Sequence, residues 1–248
     1  MKTFYLTDPG KVRSHNEDSV TILKNHNNEY LMAVADGMGG HSAGEIASSI
    51  AINHLSKMFN ENFLDLEKVQ AVNWLRDTVI EINDLIFDYV DKHPESKGMG
   101  TTLVCALVTK KYILFGNIGD SSGFVVKTGK LRKVTYDHTL VNLLLRAGEI
   151  SEEEAKNHPK KNILMRALGA NNPIEIDIFD VENDIEGILL SSDGLTSMLN
   201  NTQIEKVLLA PNSTLEEKVI KLIRKSNVRG GTDNISIACL FTKEGEKE

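Results

Sequence analysis

The chain has 248 residues, of which 41% are hydrophobic and 25% charged, and its formal net charge is −7. This length and composition are typical of a single globular domain with a buried core, so we expect residues 1–248 to form one domain. The acidic balance argues against nucleic-acid binding, which needs clustered basic side chains. No run reaches the roughly 18 apolar residues of a membrane span, and the N-terminus lacks a signal-peptide core, so we expect a cytoplasmic protein without membrane insertion.

Apolar runs with the character of strands recur along the chain. They lie at 3–7, 19–24, 29–35, 101–109, 112–118, 123–128, 174–181, 187–192 and 234–241. Apolar residues three or four apart predict amphipathic helices over 43–58 and 66–89, and a third helix begins near Thr214, where Glu217 completes capping-box spacing. This order predicts an α+β sandwich with mostly antiparallel pairing rather than alternating βαβ units.

The stretch from about 137 to 169 differs from the rest because short polar helical segments interrupt the strands. It contains the sequence Asn157-His158-Pro159, which is typical of a break between elements. We expect this stretch to form an inserted, mobile, lid-like segment.

Four aspartates fall near the ends of the predicted strands. Asp36 and Asp193 each follow an apolar run and precede a glycine, Asp120 follows the run 112–118, and Asp233 precedes the last run. Taken alone, an Asp-Gly pair is more often a hairpin turn. Four carboxylates that meet at one end of a sheet would repel one another unless cations lay between them.

Carboxylate oxygens of this kind suit Mg²⁺ or Mn²⁺. Gly37 has no side chain, so its carbonyl can also approach a cation closely. A carboxylate shared between two ions would hold a bridging water and make it a nucleophile near neutral pH. The pattern therefore favours hydrolysis of a phosphate.

A second cluster, Arg13-Ser14-His15-Asn16-Glu17-Asp18, precedes the second strand. The planar guanidinium of an arginine binds two phosphate oxygens at once and keeps its charge at any working pH. A basic residue beside acids is also common as a solvated surface ion pair. The other acidic sites favour the phosphate-binding interpretation of Arg13.

Together these segments resemble the type-2C metal-dependent Ser/Thr protein phosphatases, the PPM family, and specifically its compact bacterial branch. The matching segments occur in the same order over nearly the whole chain: RSHNED at 13–18, DGMGGHSAGEIAS at 36–48, GMGTTL at 98–103, GNIGDSS at 116–122, DHT at 137–139, RALG at 166–169, SSDGL at 191–195 and GGTDNIS at 230–236. The resemblance implies a four-layer αββα sandwich, in which two mostly antiparallel central β-sheets are flanked by helices. It also implies that about 139–165 is the flap beside the active site.

The resemblance further implies roles for individual residues. Two catalytic ions, Mn²⁺ or Mg²⁺, would be held by three acids and one carbonyl, namely Asp36, Asp193, Asp233 and Gly37. Asp120 and Asp193 would form a third, weaker metal site. Arg13 would bind the substrate phosphate, while Glu17 and Asp18 would support metal-bound water from outside the coordination shell.

Two positions depart from the family pattern. Animal relatives carry a histidine after the Asp-Gly pair as a proposed general acid, whereas this chain has Met38, as bacterial members do. Protonation of the leaving group is therefore unassigned, and His41 is a candidate for it through water, against the more common structural role of a lone histidine at a helix start. Ser122 stands where the family commonly has arginine, which implies a looser third metal site.

Three alternative functions fit parts of the sequence less well. The segment 119–123 satisfies the G-x-S-x-G motif of serine hydrolases around Ser121, but the apolar run that follows predicts a strand where that motif requires a helix. The glycine-rich segment 36–40 matches neither of the two common nucleotide-binding motifs, because it lacks both G-x-G-x-x-G and a terminal Gly-Lys-Ser/Thr. A catalytically inactive phosphoprotein-binding homologue would not need Arg13 together with Asp36, Asp193 and Asp233.

The resemblance thus implies hydrolysis of phosphoserine and phosphothreonine in proteins by direct attack of a metal-bridging water, without a phosphoenzyme. It implies phosphorylated proteins as partners, among them a cognate membrane-anchored Ser/Thr kinase and its targets. A charged domain without an obvious apolar patch favours a monomer.

Overall fold

The computed structural model of the protein describes residues 1–40 and 43–242, apart from the side chain of Lys156. In the N-terminal half these residues form β1 (Lys2–Asp8), β2 (Asp18–Lys24), β3 (Tyr30–Met38), α1 (Ala43–Asn62), α2 (Lys68–Lys92), β4 (Gly100–Thr101), β5 (Leu103–Val108) and β6 (Ile113–Ile118). They continue with β7 (Ser122–Lys127), β8 (Lys130–Lys133), α3 (Leu140–Ala147), α4 (Glu152–Asn157), β9 (Asp177–Val181), β10 (Gly187–Ser191), α5 (Asp193–Thr196), α6 (Asn201–Leu208), α7 (Leu215–Val228) and β11 (Ile235–Phe241).

The strands form two sheets in which every recorded pair is antiparallel. One sheet has the order β1-β11-β10-β7-β8, and the other has the order β2-β3-β5-β6-β9 with β4 paired to β3. Their facing sides bury one apolar cluster that includes Met32, Val104, Phe115 and Leu190. The sheets therefore pack face to face, as the alternating apolar positions of the strands require.

Helices cover the outer face of each sheet. A cluster that includes Phe59, Leu75 and Ile82 packs α1 and α2 against the six-stranded sheet, and one that includes Val219 and Leu222 packs α6 and α7 against the five-stranded sheet. The predicted four-layer αββα sandwich is confirmed.

The predicted helices are present, with shifted ends. Helix α1 runs four residues beyond the predicted end, and α2 covers Lys68–Lys92 instead of 66–89. Thr214 caps α7 and forms the expected capping box with Glu217. The sequence did not predict β8, α5 or α6, because each is short and little apolar periodicity develops over four to eight residues.

The predicted flap segment contains two short helices with clear end signals. Thr139 caps α3 by accepting a hydrogen bond from the Asn142 amide, and Gly148, with φ of 74°, ends it. Ser151 caps α4 in a capping box with Glu154. Among the described residues, no helix is both long enough and apolar enough to cross a membrane.

Candidate active site

Acidic residues from both sheets meet at one end of the sandwich. Asp18 of β2 and Asp36 of β3 are directly opposite one another in the strand register. In the other sheet, Asp193 follows β10 and begins α5, while Asp233 lies two residues before β11. The Ser192 hydroxyl donates to Asp18 Oδ2 at 2.7 Å, which ties the two sheets together at this point.

Strand β3 does not turn at Asp36, as an Asp-Gly hairpin would, but continues to Met38. The Asp36 amide donates to the Thr102 hydroxyl at 3.0 Å, and the Asp36 carbonyl accepts from the Thr102 amide at 2.9 Å. Gly37 is needed for packing, because a Cβ there would overlap the backbone carbonyls of Gly44 and Glu17. The backbone around Asp36 is thus fixed on both sides.

The negative charges of these buried carboxyl groups are poorly neutralised by nearby positive charge. Burial, followed by repulsion from Asp18 and Asp193, raises the pKa of Asp36 well above its ordinary value. Burial is also the largest cause of the raised pKa of Asp18, to about 7, of Asp193, to about 6, and of Asp120, to about 7. Repulsion from neighbouring aspartates contributes to each shift, so these side chains lie near one another with too little positive charge between them.

Arg13 is a cationic side chain at the edge of this cluster. Its Nη2 lies 2.8 Å from Asp233 Oδ2, and the side chain of Arg13 is 52% exposed. The other oxygen of Asp233 accepts the Asn234 amide at 2.9 Å. Glu17 is half-buried nearby, and burial raises its pKa. Arg13 therefore faces solvent at the rim while it pairs with one of the predicted metal ligands, a contact that the sequence did not predict.

The donor atoms suit a hard divalent cation. Oδ1 of Asp18 and Oδ1 of Asp193 are buried without a hydrogen-bond partner, which is costly for a carboxylate unless something else binds it. Within the described part of the chain, however, no three acidic, histidine or cysteine side chains converge closely enough to form a coordination shell. Asp233 faces Arg13 instead. The residues fit Mg²⁺ or Mn²⁺ by the chemistry of their carboxylate oxygens.

The structure places the other candidate residues as follows. Ser121 is fully buried, its hydroxyl lies 2.8 Å from that of Thr102, and strand β7 follows it, so the serine-hydrolase alternative is wrong. Ser122 is also fully buried. His41 lies outside the described residues.

Sequence reasoning missed Asn234 as a residue of this site. Its side-chain amide donates to the carbonyls of Pro9 and His15, both at 2.9 Å, and its Oδ1 accepts the Glu17 amide at 2.8 Å. Asn234 thereby holds the segment that carries Arg13 beside Asp233. The signal for it was its position within GGTDNIS, directly after Asp233.

Comparisons with known proteins show the family to which the chain belongs. The family model described as "Protein phosphatase 2C" matches residues 11–226, and the chain belongs to that family. Among curated proteins, the serine/threonine phosphatase stp of Listeria monocytogenes is 43% identical over 238 residues, which cover 96% of this chain and 94% of that protein. The protein phosphatase PhpP of Streptococcus pneumoniae is 33% identical over the full length of both.

Solved structures give the same result. The serine/threonine phosphatase of S. agalactiae superposes with a TM-score of 0.92 at 36% identity, covering 98% of this chain and 99% of that one. Stp1 of Staphylococcus aureus superposes with a TM-score of 0.91 at 35% identity, covering 98% and 95%.

Proposed function

We propose that this chain is a Mg²⁺- or Mn²⁺-dependent phosphatase that hydrolyses phosphoserine and phosphothreonine in proteins. The observation that carries the proposal is the group of buried, mutually repelling carboxyls around Asp36, in a chain of the protein phosphatase 2C family. Side chains that raise one another's pKa are destabilising unless they bind something positive.

In this proposal Asp36, Asp193 and Asp233, with the Gly37 carbonyl, hold two cations, and Asp120 with Asp193 holds a third, weaker one. When bound, such cations supply Lewis acidity that lowers the pKa of water and neutralises charge on a phosphate. Ser192 keeps Asp18 in place, and Thr101 and Thr102 keep the Asp36 backbone in place. Glu17 and Asp18 orient water from outside the coordination shell.

Arg13 binds and orients the substrate phosphate. Its guanidinium is exposed, and Asp233 raises its pKa by hydrogen bonding and by charge attraction, so it is cationic at any working pH. Its position at the rim allows a phosphate on a flexible protein segment to reach it. The positive charge of Arg13 also stabilises the negative charge that builds on the phosphate oxygens during transfer.

The wider assignment follows from the same reasoning. We propose that residues 1–248 act as one monomeric phosphatase domain, with 139–165 as the flap beside the acidic site. Its partners would be phosphorylated proteins, including a cognate membrane-anchored Ser/Thr kinase whose action it reverses.

The test is release of phosphate from a phosphothreonine peptide and from a phosphotyrosine peptide of the same sequence, with Mn²⁺ and with excess chelator. We expect hydrolysis of the phosphothreonine peptide that is abolished by chelator and restored by added Mn²⁺. Ser121→Ala serves as the control for the serine-hydrolase alternative and should retain the activity. Full activity in excess chelator would contradict the proposal, and metal binding without hydrolysis of either peptide would favour an inactive binding homologue.

A further inference from the structure

His138 holds the turn that carries Asp120. Gly119 precedes Asp120 and has φ of 97°, a conformation suited to glycine. The Gly119 amide donates to Nδ1 of His138 at 3.1 Å, and the His138 amide donates to the Gly119 carbonyl at 2.9 Å. His138 therefore contacts both the amide and the carbonyl of Gly119, and together with Asn117, which donates to the same carbonyl at 3.2 Å, it holds the two peptide planes on either side of Gly119.

These contacts define the protonation state of the ring. Because Nδ1 accepts the Gly119 amide, the ring proton lies on Nε2, which is 3.1 Å from its acceptor, Asp177 Oδ2. Arg166 Nη1 lies farther from Nε2, at 3.5 Å, and donates instead to Asp177 Oδ1 at 2.7 Å. Burial is the largest cause of the lowered pKa of His138, and Arg166 adds to it, so the ring is neutral. The side chain is only 10% exposed. A doubly protonated ring would place two donors against one another at Gly119.

Asp177 is held in turn by the segment that returns from the flap. Arg166 Nη1 donates to Asp177 Oδ1 at 2.7 Å and to the Glu175 carbonyl at 3.3 Å. The Met165 amide donates to the His138 carbonyl at 2.7 Å. A continuous set of hydrogen bonds therefore connects Arg166, Asp177, His138 and the Asp120 turn.

The geometry points to His138 as a positioning residue for Asp120, held by the Gly119 amide and by Asp177 in the tautomer with its proton on Nε2, and thereby for the weak third cation of the proposed site. This inference rests on the proposed function only for the cation. The tautomer is a property of the protein itself. Outer partners of this kind, when mutated, weaken metal affinity by about ten- to a hundredfold.

The first experiment measures the tautomer without added metal. In ¹⁵N-labelled protein, Nδ1 of His138 should show the chemical shift of an unprotonated ring nitrogen at neutral pH. Asp177→Asn removes the carboxylate next to Nε2 but leaves the Gly119 amide in place, so Nδ1 should stay unprotonated in this variant too. A protonated Nδ1 in the wild type, or an Nδ1 that becomes protonated in Asp177→Asn, would overturn the inference.

The second experiment is calorimetric titration with Mn²⁺ alone. Asp120→Asn identifies the weak phase, which it should remove. His138→Ala should weaken that phase about ten- to a hundredfold and leave the tighter phase unchanged. His138→Asn, whose oxygen lies about where Nδ1 does and can accept the Gly119 amide, should restore most of the affinity. This rescue separates positioning from general destabilisation, and a thermal melt of each variant checks folding.

His54→Ala is the matched control. His54 also pairs with a carboxylate, Glu81, at 2.8 Å, but it lies on α1, so its loss should leave both Mn²⁺ phases unchanged. An unaltered weak phase in folded His138→Ala would overturn the inference even if phosphatase activity is present. If the wild-type protein has the expected tautomer but neither binds Mn²⁺ nor hydrolyses phosphopeptides, the proposed function fails instead.

Discussion

Two acidic side chains, Asp36 and Asp177, lie at the same end of the six-stranded sheet and differ in the groups that surround them. Asp36, at the end of β3, is surrounded by other aspartates, and burial with their repulsion raises its pKa. Asp177, at the start of β9, is also partly buried, but hydrogen bonds from His138 and Arg166 outweigh burial and lower its pKa below 3.8. A carboxylate that is paired with a cation and accepts hydrogen bonds stabilises the fold, whereas a carboxylate surrounded by other acids is suited to bind a cation from outside.

The largest effect, a loss of activity, is expected from replacing Asp36, the aspartate surrounded by other acids. Asp36→Asn should lower hydrolysis of an aryl phosphate by at least about a hundredfold, because a ligand of the proposed cations is lost. The same change removes a buried, repelled carboxyl, so the melting temperature of the metal-free protein should stay the same or rise. Steady-state kinetics and calorimetric melting measure the two effects. Unchanged activity would remove Asp36 from the site.

Arg13→Ala tests the cation at the rim. Loss of a charge-assisted hydrogen bond worth about 1.5–3 kcal/mol should raise KM for a phosphopeptide about tenfold or more. Because Arg13 pairs with Asp233, its removal frees that carboxylate, and Mn²⁺ affinity should be equal or higher. Arg132→Ala, an exposed arginine of β8, is the control with unchanged KM. Weaker Mn²⁺ binding in Arg13→Ala would show that the arginine supports the metal ligands rather than the phosphate.

A smaller effect, on stability, is expected from replacing Asp177, which is paired with Arg166 and His138. Asp177→Ala should lower the free energy of unfolding by about 1–2 kcal/mol, since Arg166 and His138 lose a partly buried partner. The pKa of Asp177 is lower in the folded protein, so its contribution is complete above the unfolded value of 3.8 and is lost as pH falls through the folded value. Urea unfolding at neutral and acid pH should therefore show a difference from wild type that shrinks in acid.

The smallest effect on stability is expected at Asp180, three residues after Asp177 on β9. Asp180 pairs with Lys68 at 2.6 Å, but both side chains are about half exposed. Asp180→Ala should change the free energy of unfolding by no more than about 0.5 kcal/mol in the same urea experiment. If Asp180→Ala costs as much as Asp177→Ala, the contacts of Asp177 with Arg166 and His138 do not stabilise the fold.

Much of the fold could be predicted because periodicity is a local property. The nine apolar runs correspond to strands, and the spacing of apolar residues located α1, α2 and α7. Helix α5 could not be predicted, because its four residues are set by the turn after β10 and not by a pattern of their own. Strand β8, with the sequence Lys130 to Lys133, has one buried apolar side chain and depends on pairing with β7.

The sequence by itself determined which residue types stand at the strand ends, and therefore the chemistry that the chain can carry out. Only the tertiary structure decided their partners: Arg13 with Asp233, Ser192 with Asp18, and His138 with Gly119 and Asp177. These pairs join residues 19 to 220 positions apart, and a hydrogen bond depends on distances of a few tenths of an ångström. No local pattern carries that information, because the contacts exist only after the two sheets have packed together.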